Sequence, residues 1–418
     1  VYKFVASQTF AGGFDVGMVE AGFELVHKVE QRGGFGMPNC LANRGVLGPD
    51  WTYQVGDPNT WIVKDAEVLA SNPPCSAFSV MTDKNHRGVD AKVSECMWAL
   101  SNYAARMKPQ IVIMESVRPA YSKGRILMQE LRANLEAKSG LRYGLYHVMH
   151  DALELGGAAV RKRYFWVASQ LPFGVEYPSN IRVPLLPDII GDIENLPQTW
   201  LPQPYRQPAS WWSEKPRERT SSVDGHTTRT GVAHRRTLDL LHMGLQHGED
   251  WPQSWHVGRF AQYFYSKYNK LPPSWDYMVE KLVRTNFHMG YISVTRWDNS
   301  RSARVITGGA LDLVLHPTQP RFVSHREVAR IMGFPDDWNI YPLRHNATLK
   351  ATWGKGISSQ CGKWIGEQAK NTLDGERGPV RGELVGDREW LIKKEVHRPT
   401  SVQPVRRPDT VRVGHKQG

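Results

Sequence analysis

Residues 66–79 limit the fold more than any other stretch of this chain. Ala66-Glu67-Val68-Leu69-Ala70 is a short apolar run that reads as a buried strand, and Asn72-Pro73-Pro74-Cys75-Ser76-Ala77-Phe78-Ser79 follows at once. Two consecutive prolines continue neither a sheet ladder nor a helix, so the backbone leaves the strand stiffly. The turn sets one thiol, Cys75, at the carboxyl end of a strand, where ligands and chemistry collect in open α/β sheets. A buried structural cysteine in a proline turn has the same local pattern, because free cysteine is among the most buried residue types. The remaining chain decides between the two.

A second strand-and-turn unit precedes it. Residues 3–8 read as a strand running into Thr9-Phe10-Ala11-Gly12-Gly13-Phe14-Asp15-Val16-Gly17. Strand, glycine turn and helix in that order present backbone N–H groups to a cofactor, and glycine allows close approach because no Cβ intervenes. A simple tight turn uses the same glycines. The next strand, 24–29, ends at Glu30, an acid placed to accept both hydroxyls of a ribose. Asp57, after Gly56, is placed to hold an adenine amino group. Each acid alone also reads as a surface carboxylate. Their order, one after each successive strand, points to a nucleoside-bearing cofactor.

Residues 80–90 are polar without an apolar period and read as a loop carrying basic groups beside the thiol. A helix is expected from about 92 to 106, stopped by Lys108-Pro109, which launches the strand 111–114. That strand ends in Glu115-Ser116-Val117, and a carboxylate directly after a fully apolar strand is awkward to bury without a role. A helix over 124–138 and a strand over 143–150 follow. Arg161 and Arg163 then alternate on one face of a further strand, so both can point into one cleft; charges that guard a sheet edge alternate in the same way.

From about 171 the character changes to proline, tryptophan, arginine and histidine, including His226, Arg229, Arg235 and Arg236, a mixture suited to phosphate and base-edge contacts. Apolar periodicity returns near 321, where Ser324 and Glu327 form a capping box for a helix that Gly333 ends. A final helix is expected over 360–371. The division is therefore a catalytic and cofactor-binding domain at 1–172, a second domain at 173–318, a return segment at 319–373, and a weakly structured basic tail at 374–418.

The formal charge of +12 favours a polyanionic partner, most simply nucleic acid. Cys40, Cys75, Cys96 and Cys361 show no Cys-x-x-Cys spacing, so neither a disulfide framework nor a zinc site is expected, and the setting reads as reducing and cytoplasmic. No apolar stretch is long enough to cross a bilayer, and the first residues lack the apolar core of a signal peptide.

In chain order these pieces resemble the motifs of the DNA (cytosine-5) methyltransferases: Phe10-Ala11-Gly12-Gly13, Pro73-Pro74-Cys75, Glu115-Ser116-Val117, Arg161-x-Arg163, the Ser324–Pro335 stretch and Gly354-Lys355-Gly356. The resemblance covers 1–172 and 318–372, and the intervening residues stand where that family keeps its target-recognition domain. It implies an α/β fold, a doubly wound, mostly parallel sheet of the S-adenosylmethionine-dependent methyltransferase type with that domain inserted. It further implies S-adenosylmethionine as cofactor and double-stranded DNA as partner; no metal and no membrane are expected, and action as a monomer is expected because one asymmetric cleft suffices for one flipped base.

By the family's mechanism Cys75 adds as thiolate to cytosine C6, and Glu115 stabilises the charge developing on the ring. Arg163 binds the O2 edge, and Arg161 meets a phosphate or a loop. The base has to be flipped out of the duplex. The resemblance places the cofactor against the Phe10–Phe14 loop (Phe10, Ala11, Gly12, Gly13, Phe14), Glu30, Asp57 and Pro74, and against Lys355, Gly356 and Ile357 of the last motif. DNA contacts are expected from Ser79, Lys84, His86 and Arg87 as well as from the four basic residues of the insert.

Four positions depart from the family pattern. The first glycine loop is one residue shorter, Ser116 replaces an asparagine, Ala159 stands in place of a glutamine, and Lys355 stands where asparagine is usual. A lysine near the sulfonium end of the cofactor is electrostatically awkward unless it faces solvent, pairs with the cofactor's own carboxylate or a nearby acid such as Asp15, or meets a carboxylate on the transferred carbon, as in carboxy-S-adenosylmethionine. In that last case the product is 5-carboxymethylcytosine. An RNA cytosine-5 methyltransferase and a catalytically silent DNA-binding module are the remaining alternatives. The large insert argues for duplex DNA over RNA, and the intact Cys75, Glu115 and Arg163 argue against the silent module.

Overall fold

The computed structural model describes residues 1–31, 36–75, 78, 94–193, 239–251, 254–271, 275–284, 294–307, 314–318, 323–340, 352–376 and 382–394. Its strands are β1 (Lys3–Ser7), β2 (Glu24–Glu30), β3 (Thr52–Val55), β4 (Val68–Ser71), β5 (Ile111–Val117), β6 (Gly144–Asp151), β7 (Lys162–Ser169), β8 (Asp250–Trp251), β9 (Val294–Arg296), β10 (Val314–Leu315), β11 (Glu383–Gly386) and β12 (Glu389–Ile392). Nine of them make one sheet in the order β11-β12-β6-β7-β5-β4-β1-β2-β3.

β1 pairs in parallel with β2 on one side and β4 on the other, and β2–β3 and β4–β5 are parallel as well. β7 runs antiparallel between β5 and β6. The strands β1, β4 and β5 are apolar on both faces because helices cover both. The chain steps outward from β1 through β2 and β3, then returns to the other side of β1 with β4. This reversal opens a crevice at the carboxyl ends of β1 and β4, and the Phe10 loop and the Cys75 turn leave the sheet there. The expected doubly wound α/β sheet is present.

One face is covered by the helices Glu95–Met107 and Pro119–Ser139, the other by Gly13–Glu20, His325–Ile331 and Ser359–Leu373. The first and last helices of that second layer touch backbone to backbone. A Cβ on Gly17 would stand 2.4 Å from the carbonyl oxygen of Ser359, so only glycine permits this approach. Elements differ from the sequence reading mainly at their ends. The helix expected over 124–138 begins at Pro119 and breaks at Gly124 (φ −115°, ψ 15°), which admits the Phe78 ring.

Within the insert, β8, β9 and β10 form a separate small sheet. Leu240, Met243, Trp251, Phe260, Phe264 and Leu315 make its own apolar cluster. Residues 158–160 are tied to residue 303 where Val160 N–H donates to the Ala303 carbonyl and Ala303 N–H to that of Ala158.

The tail expected beyond 374 needs correction. β11 and β12 are an antiparallel hairpin, and β12 pairs in parallel with β6, extending the main sheet. Glu389, 2% exposed, accepts hydrogen bonds from Arg125 Nε (2.9 Å), Gln129 Nε2 (2.7 Å) and His147 Nε2 (2.7 Å). The two apolar runs around Gly386-Asp387 carried a hairpin signal that the surrounding charge concealed. Residues 395–418 lie outside the described residues.

Candidate active site

Asn72 continues from β4 with its N–H still bonded to the Ser7 carbonyl, and the two prolines then turn the chain so that Cys75 stands half-exposed at the rim. Phe78 N–H closes the turn on the Cys75 carbonyl at 3.0 Å, and the Phe78 ring fills the space over Gly124. A Cβ there would lie 2.6 Å from it. The thiol is thus carried on a braced turn.

Glu115 comes from the neighbouring β5 and is 1% exposed. Asn72 Nδ2 donates to its Oε2 at 2.5 Å. Arg163, from β7, brings Nε to 3.1 Å from Oε1 without the alignment of a hydrogen bond. Burial pushes the Glu115 carboxyl above the ordinary carboxylate range, with Arg163 and Arg161 opposing. Burial also raises the Cys75 thiol, the Glu115 charge adds to it, and the same two arginines pull it back. A thiol, a carboxyl whose protonated form burial favours and a guanidinium therefore lie together. That grouping can attack an electron-poor ring carbon and stabilise the charge displaced into the ring.

Arg161 has a different post. It is fully buried, and it donates to the carbonyls of Ile306 (3.3 Å), Gly354 (3.0 Å) and Gly356. These carbonyls supply the loop that the resemblance allowed it as one of two partners. Arg161 braces the insert and the Lys355 segment against β7. Burial and the neighbouring Arg163 lower its pKa to about 9. Lys355 is exposed at the end of the Thr352–Lys355 helix; desolvation lowers its pKa, and a charge at Cys75 opposes this.

On the cofactor side, Gly12 (φ +95°) caps the Gly13–Glu20 helix, and Asn39 Nδ2 donates to the Ala11 carbonyl at 2.7 Å. Gly13 touches the Ile357 carbonyl, 2.1 Å from where a Cβ would sit, which joins this loop to the Gly356-Ile357 segment. Phe10 and Ala11 are buried in the loop, whereas Phe14 is a core residue with its ring 6.0 Å from that of Phe165. The structure thus seats Phe14 beneath the loop and not on its cofactor side.

Glu30 ends β2 at 2% exposure, its Oε1 has no hydrogen-bond partner, and burial raises its pKa to about 8 against the pull of Lys28. Ser7 Oγ, Gln8 Oε1 and Asn72 Oδ1 are likewise buried without partners along these strand ends. A row of orphaned acceptors beside a glycine turn fits a nucleoside bearing hydroxyl and amino donors. Asp57 fits less well: it is exposed, and its Oδ1 already accepts from Asn59 N and Nδ2, both at 3.0 Å, as the cap of a short turn. Pro74 is half-buried next to Cys75.

Ser79, Lys84, His86, Arg87, His226, Arg229, Arg235 and Arg236 all lie outside the described residues. Asn72 was missed as a partner of the acid, although it directly precedes the prolines. The buried trio Thr9, Asp15 and Lys28 was missed too. Among the described residues no helix is long and apolar enough to cross a membrane, and no group of three or more His, Cys, Asp or Glu is arranged to hold a metal.

Sheet order, the antiparallel β7 and the crevice at the reversal define the fold class of the S-adenosylmethionine-dependent methyltransferases. Two solved structures share it. One is a prophage-encoded Escherichia coli protein assigned as a DNA modification methyltransferase (TM-score 0.54, 16% identity, 90% of this chain and 100% of that one). The other is the Entamoeba histolytica methyltransferase EhMeth (TM-score 0.51, 10% identity, 89% and 98%). More narrowly, residues 8–371 match the family model of the C-5 cytosine-specific DNA methylases, and the chain belongs to that family.

Among curated relatives, it is 23% identical over 360 residues to rice (Oryza sativa) DNA (cytosine-5)-methyltransferase 1A, a match covering 75% of this chain and 22% of the rice protein. It is 26% identical over 194 residues to the type II methyltransferase M.AquIA of Picosynechococcus, covering 42% and 75%. The chain thus spans about a fifth of the length of the plant relatives it matches.

Proposed function

We propose that this protein transfers a one-carbon group, the methyl of S-adenosylmethionine, to C5 of a cytosine flipped out of double-stranded DNA. The observation that carries the reading is the convergence of Cys75, Glu115 and Arg163 beside a glycine turn whose strand ends hold unpartnered acceptors. When bound, S-adenosylmethionine supplies an electrophilic methyl carbon.

The chain's own residues do the rest. Cys75 as thiolate forms a bond to C6, and the displaced electron pair moves toward C5 and the N3–O2 edge. Glu115 holds a proton against N3, which its raised pKa allows. Arg163 compensates charge at the O2 edge. After C5 has gained its substituent it loses its proton, the C6–sulfur bond breaks, and Cys75 leaves with the bonding pair. Arg161 keeps the Lys355 segment in place throughout.

A duplex carrying 5-fluorocytosine tests this reading, because fluorine cannot leave as a proton and the adduct persists. A covalent complex with DNA, absent in Cys75→Ala, is the expected result. An adduct with RNA alone makes the protein an RNA cytosine-5 methyltransferase, and no adduct on either leaves the silent DNA-binding module. The separate core of the insert favours DNA, since it provides a second folded surface for a duplex.

One finer reading is a carboxymethyl donor, carboxy-S-adenosylmethionine, whose carboxylate pairs with the exposed Lys355 next to the Gly354 and Gly356 carbonyls that Arg161 holds, and yields 5-carboxymethylcytosine. Titrating both cofactors against wild type and Lys355→Asn distinguishes them. A preference for the carboxylated donor that the variant loses supports this reading; equal discrimination by both proteins rejects it.

A further inference from the structure

Beneath the cofactor loop lies an ion pair that the proposed chemistry does not use. Lys28 on β2 and Asp15 on the Gly13–Glu20 helix are both wholly buried, with Nζ 2.7 Å from Oδ2. The same ammonium donates to Thr9 Oγ1, and Thr9 Oγ1 donates to Asp15 Oδ2 at 2.6 Å, which closes a triangle. Thr9 is itself fully buried.

Its two neighbours explain why the triangle matters. Gln8 (φ 56°) and Phe10 (φ 51°) both occupy the left-handed region, although neither is glycine. Two such residues flanking one position make a turn that backbone preference resists, so side chains must hold it. The backbone contributes Gln8 N–H to Val29 at 3.4 Å and Gly12 N–H to Thr9 at 3.0 Å. Among the side chains, Asn39 holds the Ala11 carbonyl on the far side of the turn, and Thr9 with its two charged partners holds the turn's centre.

Stability alone does not call for such a pair, because a buried ion pair is commonly replaced by apolar residues of similar volume without loss. Its position does call for one. Lys28 stands two residues before Glu30 on the same face of β2, so its charge also favours the ionised form of the carboxyl that carries the unpartnered Oε1.

We propose that Lys28 is a positioning residue for cofactor binding, holding the Gln8–Phe10 turn in its left-handed shape through Thr9 and Asp15. This rests on the reading of that loop as the cofactor cradle. The test uses the full chain, with S-adenosylhomocysteine as the probe in isothermal titration calorimetry and turnover as a second measurement. Thr9→Val removes the hydroxyl and leaves the ion pair; a Lys28→Met/Asp15→Asn double variant removes both charges together.

In each, Kd and KM for the cofactor should rise about tenfold, with kcat at saturating cofactor within about twofold of wild type. Duplex affinity should not change. Variants that bind the probe as tightly as wild type, or that lose thermal stability while the folded protein keeps its Kd, overturn the proposal. If the double variant does not fold, Thr9→Val by itself decides the matter. Wild type that fails to bind the probe removes the cofactor reading and this proposal with it, whereas tight binding by wild type and variants alike removes this proposal only.

Discussion

Asn72 donates its side-chain amide to Oε2 of Glu115 across 2.5 Å, so the turn that presents the thiol also orients the acid. Oε2 is an acceptor there, while Oε1 faces the Arg163 guanidinium at 3.1 Å. Asn72→Ala should free the carboxyl and lower the single-turnover rate by about 10²-fold, the effect of a misplaced catalytic group. Cofactor affinity should weaken as well, because the unpartnered Oδ1 at the end of β4 goes with the side chain. Rapid-quench measurement of product on a short duplex checks this, and a rate equal to wild type would mean that β5 alone fixes Glu115.

Glu115→Gln keeps the shape of the group and removes its exchangeable acid. The chemical step should slow by about 10²–10⁴-fold, the range for a positioned acid–base residue. The thiol should still be competent to attack, so the 5-fluorocytosine adduct should form slowly and not vanish. An unchanged single-turnover rate would make Glu115 structural.

Cofactor affinity should depend on pH through Glu30. In the free protein burial raises its carboxyl to about 8, and ribose hydroxyls donate best to the ionised form. Binding therefore favours loss of the proton. The Kd for S-adenosylhomocysteine should fall as pH rises toward about 8 and level off above it. Glu30→Gln should flatten the curve, which calorimetry across that range would show.

The same residues show how far the sequence could be read. The apolar runs, the glycine turn, the double proline and the Ser324–Glu327 capping box are local signals, and each sits where its pattern placed it, the capping box with Glu327 N–H on Ser324 Oγ at 3.2 Å and Ser324 N–H on Glu327 Oε2 at 2.7 Å. Asn72 was opaque because an amide before proline has no visible partner until β4 and β5 lie side by side. Arg161 looked like a ligand-facing cation, yet its partners are carbonyls up to 195 positions away. Such pairings leave no periodicity behind.

Glu389 is the plainest instance, a single acid in a charged stretch that proves to be buried. Burial would raise its carboxyl, but donors from Arg125, Gln129 and His147 overturn that and hold it at about 2. Its folded-state pKa lies below the ordinary 4.5, so its stabilisation is present above that pH and is lost as pH falls toward 2. Glu389→Gln should cost about 2 kcal/mol at neutral pH, the worth of hydrogen bonds to a charged acceptor, and should blunt the acid side of the stability curve. Ending the chain at 382 should lower the melting temperature as well. Urea titrations at neutral and acid pH would test both.

The contact between Gly17 and Ser359 has a consequence on the ribosome. The helix carrying Gly17 emerges with its glycine face bare, and Ser359, on the helix that fills that face, is made 342 positions later. At ~5–20 residues per second the interval is on the order of tens of seconds. Throughout it the nascent sheet keeps one apolar side open to water, and Arg161 waits for the carbonyls of Gly354 and Gly356. A chain halted before residue 352 therefore holds Cys75, Glu115 and Arg163 without the wall that frames them. Such a chain is a client for chaperones and not a slow enzyme.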